Sequence, residues 1–155
     1  MLRRLLTGVL TVGMLLIATP AYAQPPVTET ITEKGVVETF IDVVPTCDFD
    51  GPLYTITTTS NQVFHITEFD DGRVHVTGTL TGTFVAEPVD PGLPDFSGKF
   101  TTWFGFNGNG KAVNGTFTFT AHGAGTDGST FTFHLTDHFN ATPTGAEFFF
   151  THCHD

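Results

Sequence analysis

The sequence predicts an all-β fold, and three observations carry that expectation. From Thr28 to the end, extended segments are separated by turn clusters, and no stretch sustains a helical period. All seventeen Phe and 26 Thr follow residue 23, a composition that suits strands better than helices or disorder. In the segments 96–106, 111–123 and 129–139 Phe residues recur two apart, as in Phe104 and Phe106, Phe117 and Phe119, and Phe131 and Phe133, so one face there is aromatic and the other is rich in Thr and His. The 155 residues are enough for one domain with its own core.

The first element is a leader. Arg3 and Arg4 give a positive start, Leu5 to Ala18 an apolar run, and Ala21-Tyr22-Ala23 a small-x-small cleavage site. The run is shorter than the roughly 20 residues needed to span a bilayer. Residues 1–23 therefore read as a signal peptide, and residues 24–155 as a single β-barrel domain of a secreted, extracellular protein with no membrane span.

Eight strands are expected over roughly 28–43, 53–59, 62–69, 73–86, 96–106, 111–123, 129–139 and 145–153. Turn residues mark the breaks: Pro45 to Pro52, Ser60-Asn61, Asp70-Asp71-Gly72, Glu87 to Pro94, Asn107 to Gly110, Ala124 to Gly128 and Asn140 to Thr144. Short links favour antiparallel pairing between sequential neighbours.

Alternation fixes the registers. A three-residue loop of Asp70, Asp71 and Gly72, with Gly72 in the left-handed position, pairs Ile66 with Val76 and Phe64 with Gly78. An Asn109-Gly110 loop pairs Phe106 with Val113 and Phe104 with Gly115. The next hairpin sets Phe119 opposite Phe133 and Phe117 opposite Leu135. Gly78, Gly82 and Gly115 share the aromatic phase, where glycine lets a sheet coil and facing rings refill the space. These features predict an eight-stranded antiparallel up-and-down barrel, with a two-sheet β-sandwich as the rival.

Cys47 and Cys153 are the only cysteines, and in an exported chain they are expected to form a disulfide that ties the last strand to the first. The alternative is a metal site at His152-Cys153-His154-Asp155.

The run Asp95-Phe96-Ser97-Gly98-Lys99-Phe100-Thr101-Thr102-Trp103-Phe104-Gly105-Phe106-Asn107, with Gly115-Thr116-Phe117-Thr118-Phe119, resembles small secreted actinobacterial proteins similar to allene-oxide-cyclase-like and dirigent-like barrels. The resemblance implies a calycin-type barrel with an apolar lumen, in which relatives bind hydrophobic molecules or steer their cyclisation. It carries no catalytic residue onto this chain.

Sixteen acidic residues against six Lys and Arg make a nucleic-acid partner unexpected; losing Arg3 and Arg4 leaves −12. The lumen-facing set Phe64, Phe84, Phe104, Phe117, Phe119, Phe131 and Phe133 is the expected site for a small apolar ligand, with no cofactor. Asp137 and Glu68 share the inward phase and are the candidates for proton chemistry in an isomerase or cyclase. His65 and His75 are diagonal neighbours on the outward face and form the one candidate metal pair. Trp103 also faces outward, where it is expected to pack beneath the Glu87 to Pro94 link or to serve as a platform for a sugar or partner. No Ser lies in a nucleophile elbow, and the Gly-rich turn Gly123 to Gly128 precedes a strand, so it lacks the helix N-terminus of a phosphate cradle. The expected function is a secreted binding module for an apolar ligand. The alternatives are a cyclase and a solid-cored surface protein.

Overall fold

The computed structural model describes residues 24–44, 46–48, 50–142 and 147–155, and the proposed leader lies outside them. Seven strands form one antiparallel sheet in chain order: β1 (Val27–Val43), β2 (Leu53–Glu68), β3 (Val74–Pro88), β4 (Phe96–Gly108), β5 (Val113–Gly125), β6 (Thr130–Ala141) and β7 (Glu147–His154). The all-β, sequentially paired expectation holds; the count of eight does not. Ser60-Asn61 is not a break, because β2 runs straight through it. Tyr54, Ile56, Thr58, Ser60 and Gln62 keep one inward phase and are all buried. Asn61 serves the neighbouring strand instead: its Oδ1 accepts a 3.1 Å bond from the Gly35 N–H, where β1 bulges between Glu33 and Val36 and Gly35 has φ +65°.

The turns explain which registers were legible. Phe69 N–H donates to Arg73 O at 2.9 Å and Gly72 has φ +80°, closing the expected three-residue loop with Phe64 opposite Gly78 and Ile66 opposite Val76. The β4–β5 hairpin is offset by two residues from expectation: Phe106 faces Gly115 and Phe104 faces Phe117. Its tip is Gly110-Lys111, because Asn109 sits one position earlier and its Oδ1 accepts the Lys111 and Ala112 N–H groups at 3.0 and 2.8 Å. The β5–β6 hairpin is also offset by two. Gly125 N–H donates to Ser129 O at 2.8 Å around a three-residue tip of Thr126, Asp127 and Gly128, so Phe119 faces Leu135 and Ala121 faces Phe133. An even offset preserves the phase, so the aromatic face survives both corrections.

That face is the inside of a strongly curled sheet. Phe84 on β3 and Phe131 on β6 bring their ring centroids to 5.9 Å, although three strand spacings in a flat sheet span about 14 Å. Cys47, after β1, and Cys153, on β7, are joined by a disulfide with Cα atoms 5.6 Å apart. A flat sheet would hold β2 and β7 about 24 Å apart. The disulfide excludes Cys153 from the alternative metal site. Asp155 Oδ2 accepts the Cys47 N–H at 3.1 Å and adds a second tie. Despite the curl, the hydrogen-bonded order ends at β1 and β7, so among the described residues the sheet is not closed into a barrel. Edge strand β1 interrupts its inward apolar residues with Glu29, Glu33, Glu38 and Asp42, and inward-pointing charges of this kind disfavour edge pairing.

Inward glycines permit the curl. An added Cβ at Gly98 would overlap the His122 carbonyl oxygen, and one at Gly82 would overlap the Thr59 carbonyl oxygen. The densest core lies at this end, where Tyr54, Ile56, Phe84 and Ala86 pack with Val44, Phe96, Phe100 and Phe131. Tyr54 and Phe96 meet edge to face at 5.7 Å, as do Phe96 and Phe131 at 5.8 Å.

Candidate functional site: an aromatic lumen and an outer groove

The curled inner face encloses a cavity of about 330 Å³. Its aromatic lining is Phe40, Phe84, Phe100, Phe117 and Phe119, supplied by β1, β3, β4 and β5. Thr58, Ser60 and Thr102 supply buried polar groups, with Ser60 Oγ accepting a 3.1 Å bond from Gln62 Nε2. Two carboxylates, Glu38 and Asp42, stand on β1 either side of Phe40, and all three are exposed at the rim. Among the described residues no Lys or Arg lines the cavity. At about 30 Å³ per non-hydrogen atom, the volume fits a ligand of roughly ten such atoms.

Of the seven Phe expected in the lumen, Phe84, Phe117 and Phe119 line this cavity. The other four face inward but build its walls. Phe133 is 2% exposed against Phe119, Phe131 packs on Phe84 and Phe96, and Phe64 and Phe104 pair at 6.0 Å over Gly78. Phe40, Phe100, Glu38 and Asp42 escaped the sequence reading. Phe100 belongs to the recognised alternation of β4, whereas the β1 residues change phase at the bulge. Lys34-Gly35 was the available signal: Ile31 and Glu33 point inward before it, and Val36, Glu38, Phe40 and Asp42 after it.

The two carboxylates proposed for proton chemistry lie apart. Glu68 is the exposed last residue of β2. Asp137 is half-buried between Phe117 on β5 and Thr151 on β7, and its Oδ1 is buried with no hydrogen-bond partner among the described residues. Tyr54, beside the cavity, has its phenol pKa pushed above the ordinary value, first by burial and then by the negative charges of Asp127 and Asp95.

On the outward face, histidines pair across strands with polar neighbours: His65 with Thr30, His134 with Thr120 and His138 with Thr116, each at 2.9 Å. His65 and His75 are diagonal, as expected, since His65 faces Thr77 and His75 faces Thr67. Their nearer partners diverge, however, because His65 bonds toward β1 and His75 shares a 2.6 Å bond with Asn107 on β4. Among the described residues no three His, Cys, Asp or Glu group around a common metal position. Trp103 is 42% exposed and is not covered by the β3–β4 link; its indole reaches over Gly105, where missing side-chain bulk makes room for it. It borders an open groove of about 420 Å³. Among the described residues no helix is long and apolar enough to cross a membrane.

No known family, functionally characterised protein or solved structure matches this chain.

Proposed function

We propose that this chain is an exported binding module whose curled sheet holds a small apolar ligand, in keeping with the resemblance to allene-oxide-cyclase-like and dirigent-like barrels. The cavity of about 330 Å³, lined by five phenylalanines, carries this reading. The disulfide supports an oxidising compartment and agrees with the leader-like first 23 residues. Lining chemistry narrows the ligand further. Glu38 and Asp42 at the rim and aromatic faces within favour a cationic or neutral head, whereas a fatty-acid carboxylate would find no counter-charge.

Decylamine, decanol and decanoate share one chain and differ in head, so calorimetric titration with all three tests the proposal. The expected order is amine, then alcohol, then acid, with the amine about tenfold tighter than the acid. Glu38→Gln with Asp42→Asn should remove the amine's advantage while leaving decanol unchanged. Failure of all three to bind would end the binding reading, and an order led by decanoate would end the head-group assignment.

A second reading, an isomerase or cyclase, is favoured by one observation: the unpartnered buried Oδ1 of Asp137, beside the cavity residue Phe117. Asp137 does not itself line the cavity, so on this reading a bound substrate would have to reach past Phe117 to exchange a proton with it. Asp137→Asn should abolish turnover while sparing decylamine affinity; undiminished turnover would remove Asp137 from the chemistry.

A further inference from the structure

The outward face breaks its own rule in one place. Elsewhere its cross-strand pairs are mainly threonines with threonines or histidines, such as Thr28 with Thr67, Thr39 with Thr57 and Thr120 with His134. Near the β4–β5 turn, however, the directly opposed residues across four strands are His75, Asn107, Asn114 and Asn140. Asparagine is depleted in strands, and these three are exposed, so packing does not repay their poor propensity. The adjoining row is Thr77, Gly105, Thr116 and His138. Gly105 leaves a gap in it, and the Trp103 indole reaches into that gap, with Cη2 3.0 Å and Cζ2 3.2 Å from where a Gly105 Cβ would stand. Among the described residues the groove between these rows contains no Asp, Glu, Lys or Arg.

We propose that this groove is a platform for a neutral glycan chain, separate from the lumen and independent of what the lumen holds. A pyranose presents a face of C–H bonds that stacks on an indole and a rim of hydroxyls that both donate and accept. Asparagine amides do both as well, and Asn107 and Asn114 already lie edge to edge with Nδ2 donating to Oδ1 at 3.5 Å. His75, Thr116 and His138 extend the polar rim. The volume of about 420 Å³ holds roughly one sugar unit at about 30 Å³ per non-hydrogen atom, and the open groove lets a chain run on at either side. The absence of fixed charge in the groove selects a neutral sugar over a uronate or sulfated one.

Trp103 is the only tryptophan, so its emission reports this site alone. Asn114-Gly115-Thr116 and Asn140-Ala141-Thr142 match the N-glycosylation sequon, so the protein should be made in a host that leaves both amides free. The probes are cellohexaose, laminarihexaose, xylohexaose, maltohexaose, mannohexaose and chitohexaose. At least one should change Trp103 emission saturably, without competition from decylamine. By calorimetry, Trp103→Ala and the double change Asn107→Ala with Asn114→Ala should each weaken that sugar by about tenfold or more, and Trp103→Phe by less. Circular dichroism confirms that each variant is folded. Flat titrations with all six sugars overturn the proposal, as does a folded Trp103→Ala protein that binds its sugar undiminished.

Discussion

Replacing Gly98 with alanine attacks the curl of the sheet at its tightest point. Gly98 on β4 lies directly opposite Gly123 on β5. An added Cβ would overlap the His122 carbonyl oxygen and sit 2.8 Å from both Gly123 Cα and the Phe84 ring. A ring can rotate away, but the backbone of β5 can yield only by parting from β4 by a distance on the order of 1 Å. Overpacking of this kind costs about 1–3 kcal/mol, and an obstacle made of backbone places Gly98→Ala near the top of that range. The reduced freedom of the unfolded chain returns about 0.4–1 kcal/mol. The net expectation is a loss of about 2 kcal/mol, or about 8 °C in Tm for a domain of this size. Gly108→Ala is the control: its Cβ would meet only Val113 Cγ2, at 3.8 Å, so that variant should equal or slightly exceed the parent in stability. Urea unfolding followed by Trp103 emission and by circular dichroism measures both. A Gly98→Ala protein as stable as the Gly108→Ala protein would refute the close approach of β4 and β5, and with it the tight coiling.

Two further outcomes follow from the same structure. Cys47→Ser with Cys153→Ser removes a crosslink of sequence separation 106, and the urea midpoint should fall by the equivalent of about 2–5 kcal/mol, with the decylamine site weakened as the β1 rim loosens. Tyr54 gives an alkaline signature. Its folded pKa is raised above 10.0 by burial and nearby carboxylates, so its contribution is fully present below pH 10 and is lost as pH rises through the folded value. Tyr54 is the only tyrosine beyond the proposed leader. Phenolate absorbance should therefore appear above pH 10 together with loss of stability, and Tyr54→Phe should reduce that loss; a phenolate titrating below pH 10 would contradict the burial.

What could be read from the sequence was what period two controls. Alternation of Phe with Thr placed the rings on one face, and the β2–β3 register followed because only a three-residue turn keeps Phe64 and Ile66 in phase with Gly78 and Val76. A dipeptide signal does not encode what set the offsets in the β4–β5 and β5–β6 hairpins: the Asn109 side chain accepts bonds from the position before the tip, and the Gly125 backbone N–H closes onto the Ser129 carbonyl. Ser60-Asn61 looked like a turn because Asn61 has turn chemistry, which it spends on the β1 bulge. The cavity's carboxylates were hidden for the same reason, since the bulge at Gly35 reverses the phase of β1 and sends Glu38 and Asp42 inward. Which inward rings line the space and which pack its walls depends on how far the sheet rolls, and that is set jointly by strands distant in sequence.

The most direct test is an NMR measurement of intermolecular nuclear Overhauser effects between decylamine protons and the protein's ring protons. The account predicts contacts from the alkyl chain to Phe84, Phe100 and Phe119, with the Phe84 to Phe131 ring contact present in the same spectrum. A ligand that touches only outward residues, or a spectrum in which Phe84 and Phe131 show no mutual contact, would contradict an aromatic lumen inside a rolled sheet.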